Sequence, residues 1–168
     1  MLLNSAFAFF NTMKATVLIL LLTIASTFQL TAQSAYDYKI EAVRGDLNAQ
    51  FNLGNCYAQG RGIEQDYTKA AFWWRKAAEQ GGANSQCLLG HCYAEGRGVE
   101  KNASKAVYWY KKSAKQGIAE AQYLLALCYT TGDGAKKDTG KAIYWFKKAA
   151  EQGYTDAQKH LRELGGSQ

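Results

Sequence analysis

Cys87, His91 and Glu95 stand four residues apart, a spacing that places a thiol, an imidazole and a carboxylate on one face of a helix. Such a trio holds the groups of a nucleophilic triad, in which a base takes the thiol proton and an acid orients the base. It also offers three donor types that bind metals. Two features weigh against either chemistry. The residues 36 positions away from Cys87 are Phe51 and Tyr123, which are packing side chains, and no pocket or set of oxyanion donors is evident in the sequence. Gly-rich stretches such as Gly60-Arg61-Gly62 are poor phosphate sites, because they follow a helix rather than joining a strand to one. The expectation is a chain without catalytic residues, metal site or cofactor.

The elements that carry these residues recur. Gly45, Gly81, Gly117 and Gly153 stand 36 residues apart, and most of what lies between them repeats in step. A period of this size with helix-forming composition predicts an all-α solenoid, in which each unit buries its apolar face against its neighbours. Ala49, Leu53 and Tyr57, with their equivalents Ser85, Leu89 and Tyr93 and then Ala121, Leu125 and Tyr129, form the core side of a first helix. Gly60, Gly96 and Gly132 suit the left-handed residue that ends a helix, and Gly62, Gly98 and Gly134 a tight reversal. Asp66, Asn102 and Asp138 read as N-caps of a second helix running to about Gln80, Gln116 and Gln152. Each unit is therefore a helical hairpin. Repeats are expected at 45–80, 81–116 and 117–152, with a capping helix at 33–44 and another at 153–168.

The second helix carries consecutive aromatics, Phe72-Trp73-Trp74, Tyr108-Trp109-Tyr110 and Tyr144-Trp145-Phe146. Three successive positions cover more than half of a helix's circumference, so a wedge between two first helices is expected. Arg75-Lys76 and their equivalents then face water, and Trp73, Trp109 and Trp145 dominate the stability. In the preceding cap, Tyr36 and Tyr38 align with aromatic columns and Ala42 with an alanine column. The C-terminal cap shows a polar exterior in Lys159, Arg162 and Glu163. The chain has no proline, as suits an almost wholly helical molecule.

The pattern Ala49, Leu53-Gly54, Tyr57, Gly60-Arg61-Gly62-Ile63, Asp66, Lys69-Ala70, Trp73 and Lys76-Ala77-Ala78-Glu79-Gln80-Gly81 resembles the Sel-one-like repeat (SLR) family, relatives of the tetratricopeptide repeat. The resemblance covers residues 45 to about 164. It implies a right-handed superhelix of antiparallel helix pairs that serves as an adaptor for protein partners. Cysteine-rich secreted members pair two cysteines within each repeat, whereas only Cys56, Cys92 and Cys128 recur here. Ala126 replaces the glycine of the other units, and Asp133 and Ala135 alter the third loop, so a less regular third turn is expected.

Residues 1–32 read as an export signal, with translation starting at Met13. Lys14 is the basic start, Ala15 to about Ile24 the apolar run, and cleavage follows Ala32 or Ala35. The apolar run is about ten residues, too short for a hydrocarbon core of about 30 Å, so no stable membrane insertion is expected after cleavage. The protein is then periplasmic or secreted from a bacterial cell, and monomeric.

The net charge of +6 raises the question of nucleic acid. Lys76, Lys112, Lys148 and their neighbours form a solvated ridge interleaved with acids such as Glu79 and Glu151. Nucleic-acid binding instead calls for a dense basic patch with exposed aromatics, so no such partner is expected. The recurring cysteines sit in stacked units about 8–10 Å apart, beyond disulfide reach. They read as buried free thiols, while a pair involving Cys87 stays open.

Ligand recognition should lie where the copies differ. One first-helix stripe does so, with Asn48, Asn52, Asn55 and Gln59 in unit one, Asn84, Leu88, His91 and Glu95 in unit two, and Glu120, Leu124, Leu127 and Thr131 in unit three. In superhelices of this kind such a face lines the concave side. Amides suit a peptide backbone, and Leu124 with Leu127 an apolar side chain, so a peptide or protein segment is the expected partner. The alternative is packing of the leucines against a neighbouring unit. A cell-envelope hydrolase of the β-lactamase-like kind is the other functional class, and the chain lacks the Ser-x-x-Lys motif on a suitable domain that this would need.

Overall fold

The computed structural model describes residues 17, 19–23, 26–27 and 33–165. A helix over residues 33–43, α1, precedes the repeats. It is followed by α2 (Leu47–Gln59), α3 (Tyr67–Glu79), α4 (Ala83–Glu95), α5 (Ala103–Lys115), α6 (Ala119–Thr131), α7 (Thr139–Glu151) and α8 (Thr155–Gly165). Each helix from α2 to α7 packs on the one before it and the one after it in sequence, and no strand occurs among the described residues. The result is a right-handed superhelical α-solenoid of antiparallel helix pairs. In the export-signal reading of 1–32, Met13, Lys14 and the Ala32 cleavage position lie outside the described residues, while residues 17, 19–23 and 26–27, within and just after the apolar run, are helical. No described helix is long and apolar enough to cross a membrane.

Capping sets where helices start and stop. Asp66, Asn102 and Asp138 hold extended backbone and accept from the amides of Lys69, Lys105 and Lys141 at 3.0, 2.9 and 2.9 Å, satisfying donors that the first turn leaves free. Gly60, Gly96 and Gly132 end the first helices at φ values of 67°, 76° and 85°. Gly98 and Gly134 answer a further demand. A β-carbon on either would overlap the backbone that opens the preceding unit's second helix, at the Tyr67 and Ala103 carbonyls. The third turn keeps the glycine conformations of the other two and changes one bond. Arg61 and Arg97 donate backbone amides to Cys56 and Cys92 carbonyls at 3.0 Å, whereas the Asp133 amide turns to Thr131 Oγ1.

Within the aromatic triplets, burial differs from the sequence expectation. Trp74, Tyr110 and Phe146 are the buried members, Trp73, Trp109 and Trp145 are half-buried, and Phe72, Tyr108 and Tyr144 are about half exposed. The reason is helical phase. Ala70, Ala71, Trp74, Ala77 and Ala78 share the inward face of α3, and the middle tryptophan falls on its flank. Trp74 and Tyr110 lie so close over Gly54 and Gly90 that a β-carbon at either glycine would strike the ring. Arg75 also departs from the expectation of a solvated residue. It is half-buried, its Nη2 donates to Tyr93 Oη at 3.3 Å, and its Nε is buried without a partner.

A chain of glutamines runs through the unit junctions. Gln50, Gln86 and Gln122 are buried, and their amides donate to the carbonyls of Ala42, Ala78 and Ala114 in the preceding helix, each at 3.1 Å. Their own oxygens accept from Gln80, Gln116 and Gln152, which end the second helix of the same unit, at 2.7–2.9 Å. One side chain thus ties three helices.

Tyr110→Ala is expected to cost about 3–5 kcal/mol, and Tyr108→Ala less than about 1 kcal/mol, by urea denaturation. Gln86→Leu removes the bond to the Ala78 carbonyl and the one from the Gln116 amide, each of which keeps a second partner at Gly81, and should cost about 1–2 kcal/mol in the same measurement.

Candidate functional site

The first-helix stripe follows a regular exposure profile. Asn48, Gln59, Asn84, Glu95, Glu120 and Thr131 are exposed, whereas Asn52, Asn55, Leu88, His91, Leu124 and Leu127 are half-buried. Gln59, Leu88, His91 and Glu95 come together in a cleft of about 270 Å³ between units one and two, whose wall also includes Ala58, Tyr67, Trp74, Cys92 and Arg97. Asn52 and Asn55 line a smaller cleft of about 170 Å³ with Ser34, Tyr38, Cys56 and Arg61. Asn55 is partly committed elsewhere, since its Oδ1 accepts from Trp74 Nε1 at 3.1 Å. Leu124 and Leu127 line neither cleft and pack against the core. Thr131 turns its hydroxyl back to the Leu127 carbonyl at 3.1 Å.

The Arg97 guanidinium lies 5.0 Å from the centre of the Tyr67 ring and pairs with Glu95 at 2.8 Å. A cation over an aromatic face is favourable. It holds Arg97 at the rim while Trp74 and Leu88 supply apolar wall. The pairing also draws Glu95 away from the trio suggested by spacing. In its place Glu120, from the first turn of α6, meets His91 Nε2 at 3.1 Å, and one donor atom each from Cys87, His91 and Glu120 lie within 4.8 Å of one another. Burial, with the Glu120 carboxylate adding to it, pushes the Cys87 thiol up to about 12. A thiol that keeps its proton at neutral pH is a poor nucleophile.

The Sel1 repeat matches three times, over residues 47–82, 83–118 and 119–154, and so spans more than half of the chain. The chain belongs to the Sel1 repeat family. Proteins built from Sel1 repeats are typically protein-interaction scaffolds and generally non-catalytic. No curated protein matches the chain. Among solved structures, it is similar to a Sel1 repeat protein from Oxalobacter formigenes, at 42% identity over 76% of this chain and 96% of that one, with a TM-score of 0.71. It is also similar to c5321, a protective antigen present in uropathogenic Escherichia coli strains and displaying an SLR fold, at 39% identity and a TM-score of 0.74. That match covers 77% of this chain and only 28% of c5321. Helicobacter pylori cysteine rich protein B shares the fold at 22% identity, 78% and 97% coverage and a TM-score of 0.63.

The Sel1 units do not line their two inner junctions alike. Tyr67 is followed at the 36-residue step by Ala103 and Thr139, and Arg97 by Asp133, so the Tyr67–Arg97 contact belongs to the junction of units one and two. A comparison confined to first helices misses Tyr67, Trp74 and Arg97. The copies carry the signal nonetheless, in the second helix and the loop. The approach of Glu120 to Cys87 has no counterpart in local spacing, since it depends on how α6 stacks on α4.

Four thiols, Cys56, Cys87, Cys92 and Cys128, stand free. Burial raises Cys92 to about 11, against an opposing pull from Arg97, and raises Cys128 to about 11 with Asp133 adding to it. The ordinary thiol value is 9.0, so these groups favour the folded state fully below pH 9. That contribution is lost as pH rises towards 11 and 12, because the unfolded chain releases its thiol protons first. Urea midpoints are expected to fall above pH 9, each buried thiol contributing at most about 1.4 kcal/mol per pH unit. A Cys92→Ala variant should show a shallower fall over the same range.

Proposed function

We propose that this Sel1 protein is a non-enzymatic adaptor, exported to the periplasm or beyond, that holds a peptide or protein segment along the concave face lined by its first helices. The observation that carries the reading is the cleft between units one and two. Trp74 and Leu88 give it an apolar wall, and Gln59, His91, Glu95 and Arg97 give it polar edges, the composition of a site that fixes one apolar side chain and orients it through hydrogen bonds. Along the same face, exposed Asn48 and Asn84 offer amide donors and acceptors to an extended backbone. The apolar anchor is better placed here than at Leu124 and Leu127, which line neither cleft.

The test is selection of binders from a random peptide library on the purified protein, with affinities measured by fluorescence anisotropy. Selected peptides should share an aromatic or aliphatic residue. Leu88→Ser and Arg97→Ala should each weaken them about tenfold or more, the range of an interface anchor, with the helical circular dichroism retained. Tyr108→Ala, on the opposite ridge, should leave affinity unchanged. Binders that respond to Tyr108→Ala and ignore both cleft substitutions would overturn the reading.

A further inference from the structure

Cys87, His91 and Glu120 each depart from the repeat, and the three departures converge on one spot. Where unit two has Cys87, the other positions of that column are Phe51, Tyr123 and Lys159. In the column of His91 they are Asn55, Leu127 and Glu163, and in that of Glu120 they are Asn48, Asn84 and Asp156. The corresponding trio one unit earlier is Phe51, Asn55 and Asn84, and one unit later Tyr123, Leu127 and Asp156. Neither holds a thiol or an imidazole. Among the described residues, only at the junction of units two and three does stacking bring a sulfur, a ring nitrogen and a carboxylate within 4.8 Å of one another.

We propose that Cys87 Sγ, a ring nitrogen of His91 and a carboxylate oxygen of Glu120 form a three-ligand site for a thiophilic divalent cation of the zinc class, clipping α4 to α6. Donor chemistry selects the ion. Zinc takes mixed sulfur, nitrogen and oxygen ligands in tetrahedral geometry, whereas magnesium and calcium take oxygen alone. Cys87 and His91 lie one helical turn apart on α4, the separation at which two side chains of one face reach the same ion.

Neighbouring donors around zinc sit about 3.5 Å apart, as bond lengths of about 2.0–2.3 Å and tetrahedral angles require. Closing from 4.8 Å falls to side chains with room to rotate. Glu120 is exposed and His91 is half-buried, and their facing atoms are already 3.1 Å apart. The Tyr110 ring stands edge-on to His91, with centroids 5.6 Å apart and planes at 83°, and restricts how the imidazole turns. The bound ion takes the place of the Cys87 thiol proton, which passes to solvent. Three protein ligands leave a fourth position for water on the exposed side.

As an ordinary surface contact, the His91–Glu120 pair would add little to stability and would give Cys87 no part. Cobalt(II) distinguishes the two. The full chain, reduced and freed of metal, is titrated with cobalt, whose bond to a thiolate gives a strong near-ultraviolet charge-transfer band. One cobalt per chain with that band, displaced by zinc, is the expected result, and zinc should raise the melting temperature. Cys87→Ser should abolish the band. Glu120→Gln is an exposed change that keeps the fold; it should weaken zinc at least about tenfold, whereas Glu95→Gln should leave zinc affinity as in the parent. Saturation by cobalt without a thiolate band would overturn the site. So would zinc affinity insensitive to Glu120→Gln, or sensitive instead to Glu95→Gln. His91 also lines the cleft between units one and two, so the titration uses the purified chain without peptide, and its readouts, the thiolate band and the effect of Glu120→Gln, involve Cys87 and Glu120, which lie outside that cleft.

Discussion

A buried side-chain amide at each unit junction is the constraint on which the stacking depends. Gln50, Gln86 and Gln122 are sealed from water, so every hydrogen bond they lack would go unreplaced. Each meets this demand in one arrangement only, donating to the last turn of the preceding helix and accepting from the glutamine that ends its own hairpin. Apolar surfaces tolerate sliding, because burial has no direction. The amide does not, since a shift of one residue would leave a carbonyl and an N–H facing apolar neighbours. The hydrophobic columns hold the units together and the glutamines set their register.

Within that register the aromatic wedges are matched to the helices they touch. Trp74 covers Gly54 and Tyr110 covers Gly90, both at distances that exclude a β-carbon. At the third step the pair is Ala126 and Phe146, both fully buried. Tyr110 approaches Gly90 with ring carbons that a phenylalanine shares, so loss of the hydroxyl alone does not make room for the Ala126 methyl group. His160 of α8 stacks on Phe146 at 5.2 Å, so the terminal helix closes the last wedge with an amphipathic ring.

Repetition made the fold legible. Three in-step copies placed the caps at Asp66, Asn102 and Asp138 and the left-handed glycines at the helix ends, because these depend on local backbone geometry and recur unit by unit. Depth of burial within a triplet was less legible. Adjacent aromatics differ by about 100° in phase, and choosing between Trp73 and Trp74 requires the alanines of the same face. Candidate-site residues on first helices could be found as positions where copies vary. Tyr67, Arg97 and the partnership of Glu120 with Cys87 were harder, since each joins residues of different units and their meeting depends on how units stack.

In this solenoid the extensive packing runs between helices adjacent in sequence, with side-chain contacts reaching at most one helix further, such as His91 to Glu120, so among the described residues no brace links the first hairpin to the last. Tension applied between the two ends would be carried in series, each glutamine junction bearing the full load. Under such pulling the weakest link would open first and relieve the others. The molecule would lengthen in hairpin-sized steps, like a tether with a built-in extension reserve, instead of failing all at once.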